Sequence, residues 1–341
     1  MLTPQATIAE ASVRDDLHAL RPLLARALAR ARAGLVTDSL VDLAATRTRL
    51  DDLTDLEHAR LLTTEIDGRL ARGDLELAHE VGGEVGRLLD LPGLAGATAH
   101  HGRGELAAAT GDPELAADHF ARAGRLAADH DDPDLLPWRP AAALVAVRVG
   151  RRTEAALLAR EHLALARAAD APYAVALGLR TQATVAAHGT PASLLREARA
   201  TLADHPAARL AAQLDTDLAG LLLLSGRAAV TAEALGLLRG AEEYAGREEL
   251  RPLQSRIRRL LDRLGEPARL ARGEALAALT AAQGRVARLA ADGLTNRQIA
   301  AQLAVSVKAV EWQLSHVYRR LGIRSRLGLA SALGIAQSAR D

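Results

Sequence analysis

Through most of the chain, runs rich in Ala and Leu alternate with short polar breaks, and a glycine recurs among the breaks at nearly constant intervals. Gly34, Gly73, Gly111, Gly150, Gly189, Gly226 and Gly265 are separated by steps of 39, 38, 39, 39, 37 and 39 residues. Most are followed by a polar or helix-starting residue and then another apolar run, as in "GDLELAHE", "GDPELAADHF", "GRRTEAALLARE" and "GTPASLLREA". Each glycine reads as the stop of one helix, and the Asp, Pro or Thr behind it as the start of the next. A period of roughly 38 residues holds two helices and two short turns.

The clearest unit is "GRGELAAATGDPELAADHFARAGRLAADHDDP", in which Gly111 is followed by Ala116, Phe120 and Ala123. It resembles a tetratricopeptide repeat, where small residues let paired helices approach and an aromatic fills the gap. The period is longer than the roughly 34 residues of that family. The pattern predicts an all-α fold: a tetratricopeptide-like solenoid of helical hairpins over 1–265. No single hairpin buries its apolar stripe, but stacked neighbours bury one another's. Such an array offers a concave surface to a peptide, protein or small ligand. Trp138, Tyr173 and Tyr244 read as plugs between repeats, and the pairs Glu242-Glu243 and Glu248-Glu249 as solvated helix surface.

After a linker at 266–278 the pattern changes. Thr280 with Gln283, and Thr295 with Gln298, are capping boxes opening two helices, and Gly293 stops the first of them. Ser306 can cap a third helix, "VKAVEWQLSHVYRRL". Its residues Val310, Leu314, Val317 and Leu321 form one apolar stripe, while Lys308, Trp312, Ser315 and Arg319 fall on the opposite face. Ser325 opens a fourth helix, on which Leu329 and Leu333 share a face. Ile299, Leu303, Val305, Val310, Leu314 and Leu321 are the expected core. Two helices joined by the tight "AVS" turn make a helix-turn-helix pattern, with 307–321 as the second, recognition helix. Trp312 is out of place on the polar side of a basic helix unless something covers it.

Composition narrows the function. Of 341 residues, 49% are apolar and only 2% aromatic, which suits close helix packing. Cysteine is absent, so thiol, disulfide and Cys-based metal chemistry are excluded. Lys308 is the sole lysine, in Val-Lys-Ala and not in the Gly-Lys-Ser/Thr of a P-loop. His100-His101 point to different faces of a helix and have no carboxylates at ligand spacing. No Gly-x-Ser-x-Gly and no His-Glu-x-x-His occurs, so neither an enzyme nor a cofactor is expected. No signal peptide and no run of membrane-spanning length is evident, which places the expected compartment in the cytoplasm. The net charge of +1 is unevenly spread. Residues 279–341 carry nine basic and three acidic side chains, a balance of +6, against −5 for the remainder. A polyanion is thus the expected partner of the C-terminal part alone.

Residues 279–333 resemble the DNA-binding domain of the LuxR/FixJ family of transcriptional regulators. The agreements are Leu279-Thr280, Gly293-Leu294-Thr295-Asn296, Ile299-Ala300, Leu303, Ser306, Val310, Leu314, Tyr318, Leu321-Gly322 and Ser325-Arg326. The family usually has Arg-Glu at Ala282-Gln283, and Thr and His at Ala309 and Gln313. The resemblance implies a four-helix helix-turn-helix domain over 279–341 that binds promoter DNA as a homodimer, commonly activates transcription and meets RNA polymerase. It places Glu311, Trp312 and Ser315 toward base edges. It places Thr295, Asn296, Arg297, Lys308, Arg319, Arg320 and Arg324 toward phosphates, and Leu329 and Leu333 on a dimer helix. Tetratricopeptide-like helices before such a domain resemble the C-terminal portion of large MalT-like LuxR-type regulators. The solenoid is then expected to bind an effector or a protein partner. Two rival readings are a helical-repeat scaffold whose C-terminal domain does not read DNA, and a sigma-factor-like subunit. Under the leading reading DNA covers Trp312; the alternatives are the solenoid or a second protomer.

Overall fold

The computed structural model describes residues 20–185, 190–224, 228–266, 279–303, 305–321, 325, 326 and 329. Among these residues every regular element is helical. The chain divides into two compact units, one comprising Met1–Leu237 with Glu248–Leu253 and the other Leu238–Arg247 with Gln254–Asp341. Most of the linker expected at 266–278 lies outside the described residues, as do Gly189 and Gly226.

The first unit opens with α1 (20–33), α2 (Val36–Thr46), α3 (Asp55–Arg72), α4 (Leu75–Val85), α5 (Gly93–Thr110) and α6 (Pro113–Leu126). It continues through α7 (Trp138–Arg148), α8 (Arg152–Ala168), α9 (Pro172–Val185), α10 (Pro191–Thr201) and α11 (Ala208–Leu224). Two further helices, α12 (Ala228–Arg247) and α13 (Arg251–Arg263), straddle the division, α12 from Leu238 and α13 from Gln254 onward belonging to the second unit. From α3 to α11 each helix packs on the next, and α3, α5, α7 and α9 also pack on one another in sequence. This is an array of helical hairpins.

The periodic glycines act as stops. Gly34, Gly73, Gly111, Gly150 and Gly265 all have positive φ, between 69° and 91°. At Gly111 the chain leaves α5 in the left-handed region, its N–H donating to the Ala107 carbonyl. A side chain there would place Cβ against a carbonyl oxygen, which glycine avoids. Asp112 then caps α6 by accepting from the Leu115 N–H at 3.0 Å, with Pro113 in the first turn.

Between hairpins, small residues receive large ones. Phe120 is fully buried against Gly104, whose missing Cβ would stand 2.6 Å from its ring. Trp138 lies in the same way over Gly124, beside Ala97, Ala127 and Leu136. Two aromatics thus serve two junctions, and alanine fills much of the remaining core. The histidine pair is split as its spacing requires: His100 Nδ1 is 2.9 Å from His119 Nδ1, while His101 packs on the Phe120 ring.

Some side chains in the first unit reach far beyond the neighbouring hairpin. The Arg32 guanidinium lies 4.0 Å over the Tyr173 ring and donates to the Asp134 carbonyl at 2.8 Å. Arg209 pairs with Asp67 at 2.7 Å, Arg251 with Asp74 at 2.9 Å, and Arg72 with Glu249. The buried Glu248 carboxylate accepts from the Thr37 N–H at the start of α2, 3.0 Å away. The expectation that Glu248-Glu249 form solvated surface is therefore corrected for Glu248, while Glu249 is exposed. Glu242 in the second unit is likewise paired, with Arg239 at 2.8 Å and Arg258 at 3.1 Å. Tyr173 carries a cation on its ring in addition to any packing role.

Candidate nucleic-acid interface

Three helices of the second unit build the site: α14 (Ala281–Ala291), α15 (Asn296–Leu303) and α16 (Val307–Leu321). Their starts are fixed by side chains. Thr280 accepts from the Gln283 N–H while Gln283 accepts from the Thr280 N–H, a complete capping box. Thr295 and Gln298 repeat the exchange at α15. Ser306 Oγ accepts from the Ala309 N–H at 3.1 Å and caps α16. Gly293, at φ 90°, ends the α14 segment.

These caps orient the apolar stripes inward. Val286, Ala287, Ala290, Ile299, Ala300, Val310, Leu314, Val317 and Leu321 form one buried cluster with Leu279 and Leu329, and Leu303 packs on its edge. Val305 departs from the expected core: it is 46% exposed, because its position in the turn is fixed through its backbone N–H to the Ala300 carbonyl at 3.0 Å. Leu329 is fully buried in this cluster, so its side chain belongs to the domain's own core and not to an open dimer face. Leu333 and Arg324 lie outside the described residues, as does the side chain of Arg320.

With the stripe at 310, 314, 317 and 321 buried, the opposite face of α16 is turned to solvent. Lys308, Glu311, Ser315 and Arg319 are exposed, and Trp312 is 58% exposed, the largest side chain on that face. The Trp312 ring is not loose. His316, one turn on, packs against it with centroids 4.0 Å apart. Its Nδ1 lies 2.9 Å from the Trp312 carbonyl and so carries the donated proton, leaving Nε2 as the ring's remaining polar atom. Ser315 donates back to the Glu311 carbonyl at 2.9 Å and keeps its lone pairs to accept with. The face offers one broad apolar ring, a carboxylate, a hydroxyl and two cations within about 80° to 100° of helix surface.

Thr295 and Arg297 are exposed at the start of α15. Asn296 is half-buried and accepts from Arg326 at 3.1 Å. Arg326 also donates to the carbonyls of Ala290, at 3.0 Å, and Leu294. One guanidinium therefore ties the end of α14, the following turn and the start of α15. Sequence reasoning singled out neither His316 nor Arg326 as a functional residue. The i, i+4 spacing from Trp312 was the available signal for the first. For Arg326 there was only its place in the Ser325-Arg326 match. Arg285, Val305, Ala309 and Gln313 line a small cleft beside α16, where the buried Gln313 Oε1 has no hydrogen-bond partner among the described residues.

Residues 277–333 match the family model described as bacterial regulatory proteins, luxR family. Over 62 residues the chain is 45% identical to a protein of Mycobacterium bovis (strain ATCC BAA-935 / AF2122/97), and equally to one of Mycobacterium tuberculosis (strain CDC 1551 / Oshkosh). Their names give both a candidate role as HTH-type transcriptional regulators. Each match covers 18% of this chain and 7% of the relative, so the chain spans a small part of those proteins' length. Among solved structures, the crystal structure of BtubC (BKLC) from P. vanneervenii covers 74% of this chain and 96% of its own. Its identity is 17% and its TM-score 0.39, a likeness too loose to bear on fold or function. The C-terminal region is thus a LuxR-family helix-turn-helix domain.

Proposed function

We propose that this chain is a sequence-specific, DNA-binding transcriptional activator. In this reading α16 lies in the major groove, with Glu311, Trp312 and Ser315 toward base edges. Lys308, Arg319 and Arg320 clamp phosphates on the same helix, with Arg324 beyond it and Thr295, Asn296 and Arg297 at the start of α15. The observation that carries it is the exposed Trp312 ring on the solvent face of the second helix of a LuxR-family domain, flanked by Lys308 and Arg319. An indole there can pack on a thymine methyl group, and Glu311 can accept from a cytosine amino group. Arg326 holds Asn296 and the α14–α15 turn in register for the groove.

The hairpin array is the sensing or docking part, binding an effector or a protein, and the DNA-bound form is a homodimer that engages RNA polymerase. The test is fluorescence anisotropy of the intact chain with DNA from upstream of its own gene and with random DNA, across a salt series. Selective binding that weakens steeply with salt is expected, since each neutralised phosphate adds a log–log slope of roughly −0.9. Trp312→Ala should weaken binding to the specific site about 10-fold or more and to random DNA much less. Equal losses on both would remove base readout by Trp312. No salt-dependent binding would turn the reading to a protein-interaction scaffold.

A further inference from the structure

The solvent face of α16 is useful only if the Trp312 indole is held in place, and a ring that is 58% exposed has little packing of its own to hold it. The ring packed on it is His316, one turn on and about 40° further round the helix. The two centroids lie 4.0 Å apart at an interplanar angle of 40°. The imidazole is anchored in turn, because its Nδ1–H donates to the Trp312 carbonyl at 2.9 Å. It is therefore tied to the backbone of the residue whose side chain it covers, and Nε2 is the atom left to take up a proton. His316 is the only histidine after His205, and so the only side chain of the second unit that ordinarily titrates between pH 6 and 8. The charged residues of the helices around it are nearly all of one sign. α14 carries Arg285, on the cleft beside Gln313, and Arg288, which donates to the Gly284 carbonyl; α15 carries Arg297. α16 itself carries Lys308, Arg319 and Arg320 against one carboxylate, Glu311, whose position lies about 140° away around the helix. A proton taken up at Nε2 would join these cations, a change that bound phosphates favour.

We propose that His316 is a positioning residue for base readout and the point at which DNA binding is coupled to pH. The ring holds the indole of Trp312 toward the base edges, and its protonation at Nε2 adds a cation to the DNA-facing side of α16. The proposal rests on the DNA-binding reading above and gives a role to a residue outside the base-facing set of Glu311, Trp312 and Ser315. Two physical effects act together. An indole already held against a neighbouring ring loses less freedom when it meets a base, so more of its contact energy appears as affinity. The imidazolium, with its ring 4.0 Å from the indole, also gains a cation–π attraction, so the proton tightens the same stack that does the positioning. The sign of the coupling follows from linkage. DNA favours the protonated ring, each bound recognition helix takes up part of a proton, and affinity rises as pH falls. The stack acts on sequence selectivity, whereas the added charge strengthens binding to any duplex.

The experiment is anisotropy of the intact chain on DNA from upstream of its own gene and on random duplex, from pH 8 to pH 6 at fixed salt. The wild type is compared with His316→Phe, which keeps a ring beside Trp312 but takes up no proton, and with His316→Ala, which removes both. Circular dichroism establishes that all three fold alike. The wild type should bind both duplexes about 3–10-fold more tightly at pH 6 than at pH 8 for each recognition helix engaged. His316→Phe should lose that dependence on both duplexes and keep its selectivity. His316→Ala should lose the dependence and, in addition, about 3–10-fold of the selectivity. The remaining histidines all lie in the first unit, so a pH dependence that survives in His316→Phe belongs there and overturns the coupling. Binding by the wild type that does not change with pH overturns it too, and selectivity unchanged in His316→Ala overturns the positioning role. In each of these cases Trp312→Ala still tests base readout. A wild type that binds neither duplex at any pH removes the DNA reading itself, and this proposal with it.

Discussion

The junction of Gly104 and Phe120 permits a prediction whose sign reverses with context. A Cβ at Gly104 would stand 2.6, 2.8 and 2.9 Å from Cε1, Cδ1 and Cζ of the fully buried Phe120 ring. Optimal carbon contacts are about 3.5–4.0 Å, so Gly104→Ala forces α5 and α6 apart or tilts the ring. Overpacking of this kind costs about 1–3 kcal/mol. Against it stands the helix preference of Ala over Gly, about 0.8–1 kcal/mol at an interior position. The net expected for Gly104→Ala alone is a loss of up to about 2 kcal/mol. In a Phe120→Leu background, which costs stability by itself, two of the three crowding atoms are gone. There Gly104→Ala should stabilise by about 0.5–1 kcal/mol, giving a coupling of about 1–3 kcal/mol across the cycle. Urea unfolding followed by circular dichroism, with the first unit's transition fitted in all four variants, measures it. If Gly104→Ala has the same effect in both backgrounds, the ring is not what holds that position to glycine.

Further predictions follow from particular side chains. Arg326→Gln leaves the Ala290 and Leu294 carbonyls without their charged donor and should cost the second unit about 2–4 kcal/mol, seen as faster amide exchange at the α14–α15 junction. His162 is buried with Nε2 3.0 Å from the Ala174 carbonyl, and burial pushes its pKa down to about 4. A base with a depressed folded pKa gives stability that is full above its unfolded value near 6.5 and lost as pH falls toward about 4. His162→Gln should therefore flatten the first unit's acid-side unfolding profile between those limits. Glu105 has the opposite sign: burial first, then the nearby Asp67 charge, raise its carboxyl to about 7. Its contribution is present below the unfolded carboxylate range and lost as pH rises toward 7, so Glu105→Gln should stabilise the protein at pH 8 and change little at pH 4.5.

The helix-turn-helix was legible because its cues are local. Thr280, Thr295 and Ser306 are caps that act within three residues, and the 310–314–317–321 stripe is set by one helix period. The hairpin array was legible for the same reason: Gly34, Gly73, Gly111 and Gly150 mark left-handed stops that few other residues tolerate. Long-range choices were not written locally. Nothing near Glu248 signals a buried carboxylate capping α2, 211 residues away. Arg32 and Arg209 look like any other arginine of an arginine-rich chain until their partners across the array are placed. Val305 continued the apolar pattern of Ile299 and Leu303, but in a tight turn the backbone sets the side-chain direction, and it points outward. Leu329 carried no mark distinguishing a core residue from a dimer contact, since both call for an apolar side chain.

The reach of Arg32, Arg72, Arg209, Arg251 and Glu248 to distant hairpins alters how the first unit folds and fails. A plain repeat array behaves as a one-dimensional chain of nearest neighbours, so nucleation begins anywhere, end repeats fray, and damage stays where it occurs. Ties between residues 102 to 211 positions apart add loops to that chain, and each loop must close before its contact returns any stability. Assembly then gains an order: short-range hairpins form early, and the ties complete late and together. In return the first hairpins lose their independence from the last. A lesion at Asp67 is felt near Arg209, and one at Glu248 loosens the start of α2. Unfolding of this unit becomes more nearly all-or-none than the number of its repeats implies, and an event at either end becomes an event for the whole.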